Sequence, residues 1–464
     1  MSSAPLTPLT PLTPLSRPFT RRAAVRGGSL LAGTLLAACG GPTPSQPAAQ
    51  SGPVVTLRVH GQGTSDGEGY DKNVAAFSKQ FAGKYTAVHE QNTGNNYEKQ
   101  DAEFAGGTGA DLYYAHTSNM RHQVYAIRGV AKQLDTFLSK DKNFNLNAWT
   151  SRAQDVMKIV DGKLYGIPIR GQVSWLFLYW NKDMLRKAGI PEPTANWTID
   201  EFMTHAKKLV QPGNADFFPI AYGGLSGFER IAAESRRWGG EVFDVPAGAG
   251  KKATFDSAQV QQTLRWFYDN TKAGLFAPRT WGPAEFGQGK TAFVWGHLAG
   301  QRATVANNAK GAFEWTFNIV PKNNTGRRGG YLSIDMQQMW VNTKSPEGSW
   351  ELLKWMTNKQ SGINIALQPV GSLTPGYRKD VYCSDELIND SRFPKSAMQA
   401  NCDNFEQPDT YIYPHNLRLE GDGGIAPILT KYIDNWMDLK DEPTPATIKE
   451  MNSEIQKVLD LPRL

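Results

Sequence analysis

The stretch from Asp161 to Ile190, DGKLYGIPIRGQVSWLFLYWNKDMLRKAGI, limits the folds open to this chain more than any other. Gly166-Ile167-Pro168 must be extended, because proline lacks the amide proton a helix needs and keeps the residue before it out of the helical region. Ser174 to Trp180 follows without a single charge and is rich in aromatic rings. Such a run predicts a strand buried on both faces. Asn181-Lys182-Asp183-Met184-Leu185 then opens a helix, which Gly189-Ile190-Pro191 ends.

The flanking sequence repeats the same alternation of elements. Val55, Leu57 and Val59 mark a first strand over Val54–His60, and Val74, Phe77 and Phe81 keep helical spacing after it. Gly61-Gln62-Gly63 lacks the third glycine of a dinucleotide fingerprint, since Asp66 stands in its place. Ala110–Ala115 and Phe217–Tyr222 read as short strands. Thr198 with Glu201 forms a capping box ahead of Phe202, Ala206 and Leu209. Asp256 is expected to cap a helix that buries Val260, Leu264 and Phe267. Trp315–Val320, then Pro321 and Gly329-Gly330, reads as the second passage between two lobes. Ile425–Leu439 and Ile448–Leu459 are amphipathic closing helices, the second with Thr444 as N-cap and Pro445 at the first helical position. This strand–helix–strand rhythm predicts an α/β fold of mainly parallel sheet with helices on both faces. With 464 residues, two or three domains are expected.

The N-terminus reads as an export signal. Pro-Leu-Thr repeats over residues 5–15, Arg21-Arg22 and Arg26 follow, and an apolar stretch from Leu30 to Ala38 ends at Cys39. That stretch is too short to span a bilayer. Leu36-Ala37-Ala38-Cys39-Gly40 resembles a bacterial lipobox, so residues 1–38 are expected to be a signal peptide and Cys39 the lipidated residue. Arg21-Arg22 resembles a twin-arginine signal but Ala24 departs from it, which leaves both export routes open. Residues 39–53 read as a flexible tether. The net charge of +6 includes four arginines before Cys39; without them 46 basic residues face 44 acidic ones, and no basic run points to nucleic acid. Cys383 and Cys402 are expected to pair as a disulfide in an exported protein, the other reading being two buried free thiols.

The order of motifs carries a resemblance. Y-G-I-P at Tyr165–Pro168, the uncharged run, Y-W-N-K-D at Tyr179–Asp183, K-A-G-I-P at Lys187–Pro191 and N-W-T-x-x-E at Asn196–Glu201 follow one another as in the family-1 extracellular solute-binding proteins of ABC importers, the group of maltose-binding protein. Gly129–Leu134, Phe286–Phe293, Ser345–Trp350 and Gln368–Pro375 are similar to later motifs of that family, so the resemblance covers nearly all of residues 54–460. It implies a two-lobed periplasmic-binding-protein-like fold of type II, with the lobes joined by three hinge crossings. The implied segments are 54–168 and 321–368 for the first lobe, and 169–320 and 369–464 for the second.

Recognisable catalytic constellations are missing. Gly224-Leu225-Ser226-Gly227-Phe228 narrowly fails the nucleophile elbow, and no H-E-x-x-H, P-loop or C-x-x-C occurs. Asp66, Glu68 and Asp71 lack calcium-loop spacing and read as a solvated acidic loop. Neither cofactor nor metal is expected, and the seven histidines show no metal-ligand spacing.

Aromatic content is high, with 13 Trp, 16 Tyr and 21 Phe. Most belong in a core, but Trp175, Trp281, Trp295 and Tyr331 fall near strand ends or in Gly-rich loops. Ligands of open α/β sheets bind beyond the carboxyl ends of strands. An aromatic plane covers the C–H face of a sugar while amides and charged groups bind its hydroxyls. The resemblance implies contacts from Tyr114, His116 and Asn119 in the first lobe, from Gln172, and from Phe228 and Glu229 in the second. The function it implies is capture of a sugar or oligosaccharide by hinge closure and delivery to an ABC permease, by an enzymatically inactive monomer held outside the cell membrane by its lipid. The same fold with another cargo (glycerol phosphate, polyol, peptide or polyamine) and an exported carbohydrate-active enzyme are the competing readings.

Overall fold

Strands from both halves of the chain are shared between two mixed sheets in a computed structural model. It describes residues 53–461 except 93–96, 118–119, 175, 224–225, 245–249, 297–298, 369–375, 407–408 and 413–423. The expected signal peptide, Cys39 and the tether up to residue 52 lie outside the described residues, as do Asn119, Trp175 and the third crossing beyond Gln368.

The first sheet has the order β2-β1-β3-β9-β4, built from β1 (Val55–Gln62), β2 (Tyr85–Asn92), β3 (Leu112–His116), β4 (Gly166–Ser174) and β9 (Tyr331–Met339). The second has the order β6-β7-β5-β8, from β5 (Phe177–Asn181), β6 (Phe218–Tyr222), β7 (Thr291–Gly296) and β8 (Trp315–Ile319). The sheets are less parallel than expected. β1 pairs parallel with β2 and β3, and β6 with β7, but β9 runs against β3 and β4 while β5 runs against β7 and β8. The cause is the connection. Helices such as Gly63–Gln80 return the chain to the same end of a sheet, whereas β5 and β9 each enter from the other sheet and run the opposite way.

The uncharged run Ser174–Trp180 is therefore not one strand. β4 keeps the first sheet going past residue 168 to Ser174, and Phe177 already belongs to the second sheet. The chain changes lobes inside the stretch, and its lack of charge reflects β5, buried at every position between β7 and β8. The return passage lies between Ile319 and Tyr331. There Gly329 has φ 72°, and a Cβ on it would lie 2.6 Å from the Ala233 carbonyl oxygen of helix Gly227–Arg237. Only glycine lets the backbone pass that close.

Three local readings change. Asp66, Glu68 and Asp71 sit on helix Gly63–Gln80 rather than in a loop, and Asp71 Oδ1 is 2.9 Å from His89 Nδ1. Ser257, not Asp256, precedes helix Ala258–Lys272. The Ile425–Leu439 segment is helical without interruption over residues 426–437, with a π-helical stretch at Thr430–Asp434 between Ala426–Leu429 and Asn435–Met437. The Thr198–Glu201 and Thr444–Thr447 caps form on their helices. Cys383 and Cys402 are joined, with Cα atoms 5.1 Å apart.

Candidate functional site

Register builds a charged cluster on the first sheet. His116 at the carboxyl end of β3 lies directly opposite Asp335 on β9, and Arg170 of β4 lies opposite Asp335 from the other side. Directly opposed residues share a face, so the three side chains meet. A register shift between Pro168 and Arg170 makes this pairing. Without it Ile169, which is buried in the core, would take the place of Arg170. Gly171 completes the bend: a Cβ there would lie 2.6 Å from the Ser333 carbonyl oxygen and 2.8 Å from the Tyr377 ring.

The distances are short. Arg170 Nε is 3.0 Å from Asp335 Oδ2, and His116 Nε2 is 3.2 Å from Asp335 Oδ1 and 3.3 Å from Ser333 Oγ. Asp335 is 2% exposed. Burial lowers the pKa of His116, against the opposing pull of Asp335; Arg170 lowers it further and Glu229 raises it. Tyr97 backs the cluster. Its hydroxyl accepts from the His116 backbone N–H at 3.2 Å, its ring stacks on Tyr114 at 6.4 Å, and the Arg121 guanidinium covers it at 4.8 Å.

The second sheet contributes the N-terminus of helix Gly227–Arg237, which follows the carboxyl end of β6. Ser226 caps it: Ser226 Oγ accepts from the Glu229 N–H at 3.3 Å, and Glu229 Oε2 accepts from the Ser226 N–H at 3.0 Å. The charge of Glu229 acts on His116 and on Tyr411. Phe228 meets Tyr411 edge-on at 6.1 Å, and Tyr411 bridges to Tyr331 at the start of β9. Tyr331, Ser333 and Asp335 share one face of β9. His116 and Arg170 thus meet at Asp335, the charge of Glu229 reaches His116, Phe228 and Tyr331 both adjoin Tyr411, and Tyr114 is buried on the His116 face of β3. Gln172 is in β4 opposite Ser333 by its backbone.

Two expected platforms lie elsewhere. Trp295 is fully buried, stacked on Tyr222 at 5.1 Å and met edge-on by Phe202 of the flanking helix at 5.1 Å. Strand alternation turns it toward the helix layer, so it is core. Trp281 turns its ring to Phe218, at the amino end of β6, and lies under Lys290, which precedes β7. That is the wrong end of the sheet for a site beyond strand carboxyl ends. Arg230 on helix Gly227–Arg237 donates to the carbonyls of Tyr222 and Arg279, and burial lowers its pKa to about 10.

Asp335 and Tyr411 were missed by reading motifs. The signal for Asp335 was available: Ser333, Asp335 and Gln337 alternate with Leu332, Ile334 and Met336. Tyr411 carries no comparable local pattern. Among the described residues no group of three or more His, Cys, Asp or Glu is arranged to hold a metal, and no helix is long and apolar enough to cross a membrane. An open hollow of about 370 Å³ lined by Gly239, Glu241, Phe243, Thr254 and Gln259 lies past the far end of helix Gly227–Arg237, away from the cluster.

Comparison with known proteins agrees with this architecture. A binding protein of Brucella abortus (strain 2308) is 28% identical over 279 residues, 56% of this chain and 62% of that relative, so the chain spans less than two thirds of its length. Among solved structures, the sugar-binding protein MalE from Xanthomonas citri has a TM-score of 0.70 at 18% identity, over 87% of this chain and 97% of that one. The ABC substrate-binding protein Lmo0181 from Listeria monocytogenes, in complex with cycloalternan, has a TM-score of 0.67 at 18% identity, over 88% and 100%. A solute-binding protein of Agrobacterium radiobacter K84 in complex with ribitol reaches 0.60 at 18% identity, over 87% and 98%. These likenesses establish the two-lobed fold. Residues 72–395 match the family model described as bacterial extracellular solute-binding protein, and the chain belongs to that family.

Proposed function

We propose that the protein is an exported lipoprotein, anchored through Cys39, that captures a sugar or oligosaccharide between its lobes and delivers it to an ABC permease. The observation that carries this reading is the His116–Asp335–Arg170 cluster of the first sheet, set against Phe228 and Glu229 from the second. A ligand held between them would touch both lobes at once and stabilise the closed arrangement by contacts the open one lacks. Trp175, Asn119 and Gln172 complete the proposed site, with Trp175 as the stacking ring.

The charges favour an uncharged, hydroxyl-rich ligand. Arg170 is balanced by Asp335, Arg230 is committed to two carbonyls, and Glu229 adds a negative charge. A phosphate ester would meet repulsion rather than an open cation, which disfavours glycerol phosphate. A polyol is the second reading, supported by the neighbour in complex with ribitol. No covalent chemistry is proposed. Asp335 is buried against two cationic or polar partners, and Glu229 is held as a helix cap, so neither is poised as the acid or nucleophile of a glycosidase.

The deciding experiment is a thermal-shift series with maltose, maltotetraose, tagatose, ribitol, glycerol 3-phosphate and spermidine. A sugar or polyol is expected to raise the melting temperature in a concentration-dependent way, and chromatography should recover it unaltered. A shift by glycerol 3-phosphate or spermidine alone, or enzyme-dependent product, overturns the reading.

A further inference from the structure

Cys383 and Cys402 stand on different lobes. Cys383 ends the short helix Lys379–Tyr382, which packs on helix Lys359–Ala366 and through it on Gly63–Gln80 of the first lobe. Just before it, the Tyr377 carbonyl accepts from the Thr150 N–H at 3.2 Å and the Arg378 guanidinium covers the Trp149 ring at 4.7 Å. Trp149 and Thr150 lead into helix Ser151–Met157, which lies on β4. Cys402 belongs instead to helix Lys395–Asp403, which packs on β8 of the second sheet. Ahead of that helix, Phe393 meets Phe317 of β8 edge-on at 6.4 Å, and the Arg392 carbonyl accepts from Arg302 Nε at 2.7 Å. We propose that the Cys383–Cys402 disulfide is the covalent member of the hinge: it fastens a first-lobe turn to a second-lobe helix and confines the lobes to one axis of rotation.

The confinement is mechanical. The two other passages run side by side, and the Val320 N–H donates to the Leu176 carbonyl at 2.7 Å. Joined in this way they act as one point of attachment, about which two bodies can tilt and twist in any direction. A second point leaves only rotation about the line through both, and the disulfide supplies it. Its Cα atoms are 5.1 Å apart. Disulfides span roughly 4.4–6.8 Å between Cα atoms, so the two ends can shift by only about 2 Å relative to each other. Arg328 links the two points. Its guanidinium donates to the Val320 carbonyl and, at 3.4 Å, to Asn404 Oδ1, just past Cys402.

A non-covalent tie lies beside the bond. The Arg392 guanidinium donates to the Leu367 and Gln368 carbonyls at 3.3 and 3.2 Å, while Arg302 of the second lobe holds its carbonyl. Both arginines are half-buried, so water can replace these bonds as the lobes turn. Nothing replaces the S–S bond. The proposal needs only the two-lobed fold and holds whatever the ligand is.

Single-molecule energy transfer on ligand-free protein tests it. Dye pairs are carried by p-acetylphenylalanine, which spares the thiols, at Lys79 with Lys207 and at Lys140 with Lys272. All four lysines are exposed, and each pair has one member on each lobe. Cys383→Ala with Cys402→Ala, shown to be folded by near-ultraviolet circular dichroism, should broaden the transfer-efficiency distribution of at least one pair. Arg302→Ala, which cuts the non-covalent tie and keeps the disulfide, should leave both distributions at wild-type width. Unchanged distributions in the folded double variant would mean that residues 376–404 ride with one lobe, and the proposal is overturned. It is equally overturned if Arg302→Ala broadens a distribution with the disulfide intact, a measurement that stands even where the double variant fails to fold.

Discussion

β5 and β9 hold equivalent places in the molecule. Each enters its sheet from the other lobe, lies between two strands and runs antiparallel to both. Their chemistry is opposite. β5 buries Phe177, Leu178, Tyr179 and Trp180, whereas β9 buries Asp335, Gln337 and Gln338 alongside Ile334 and Met336. An unmatched buried polar group costs roughly 1–3 kcal/mol, and β9 meets that cost only in part, since Asp335 Oδ1 and Gln338 Oε1 are buried without a hydrogen bond. Gln337 Nε2 donates to the His60 carbonyl, Gln338 Nε2 donates to the His122 carbonyl, and Asp335 meets two cross-strand neighbours. The second sheet is thus a close-packed aromatic body, and the first trades apolar burial for fixed polar geometry at its carboxyl ends.

The largest effect that separates the two is expected at Trp295. Packed between Tyr222 and Phe202, its truncation to alanine should cost about 3–5 kcal/mol of stability through lost burial and a cavity. Urea unfolding measures this, and ligand affinity in the folded fraction should be unchanged. A loss of affinity without loss of stability would return Trp295 to the cleft.

Acid should strike the polar lobe. Burial lowers the pKa of His60 and His116 and takes His122 down to about 4. The unfolded chain therefore binds protons that the native state refuses. These histidines leave stability intact above about pH 6.5 and erode it as pH falls toward their folded values. For His122 the loss between pH 7 and pH 4 is about 3 kcal/mol. His205, the described histidine of the second lobe, is only half-buried. Unfolding free energies at pH 7 and 4.5 test the slope, which His122→Gln should flatten; an unchanged slope in that variant would remove His122 as its source.

The disulfide supports the aromatic side. Helix Lys395–Asp403, which carries Cys402, packs on β8, and the link to Cys383 closes a loop of sequence separation 19. Cys383→Ala with Cys402→Ala should lower stability by about 3 kcal/mol, the loop-entropy value for that length. Differential scanning calorimetry reads the change, and a melting temperature within error of wild type would show the link to be dispensable.

Much of this contrast was legible in the residues, but unevenly. Apolar patterning gave the helices and most strands, and the capping box at Thr198 and the N-cap at Thr444 were visible because a cap is a local, four-residue event. The break between Ser174 and Phe177 was not, since an uncharged run looks the same whether it stays in one sheet or changes sheets. The candidate cluster was legible in part. His116, Phe228 and Glu229 follow strand ends, which chain order marks, but the meeting of His116 and Arg170 at Asp335 depends on cross-strand register and on a bulge at Ile169, which pair residues far apart in sequence. Trp295 and Trp281 failed for a related reason: a tryptophan near a strand end is visible in sequence, while the face and the end it turns to are set by packing.

The smallest predicted effect concerns how each lobe fixes its part of the site. In the first lobe a buried cross-strand carboxylate does it; in the second, only a helix cap. Ser226 Oγ accepts from the Glu229 N–H, and Glu229 Oε2 accepts from both the N–H and the hydroxyl of Ser226. Ser226→Ala removes the hydroxyl from this reciprocal pair and leaves the backbone N–H bond. An N-cap serine is worth about 1 kcal/mol, so the fall in stability should be of that order. The cap is exposed, and water can replace the lost bond, so the helix should persist. Glu229 would gain rotamer freedom that binding must then remove, which predicts a loss of affinity no larger than about tenfold. Ser226→Asp keeps a capping oxygen but sets a second carboxylate beside Glu229, so it should retain stability better than alanine while repelling the Glu229 side chain. If Ser226→Ala weakens ligand binding as much as Asp335→Asn does, the second lobe holds its part of the site as tightly as the first, and the contrast between a charge-fixed face and a cap-fixed face fails.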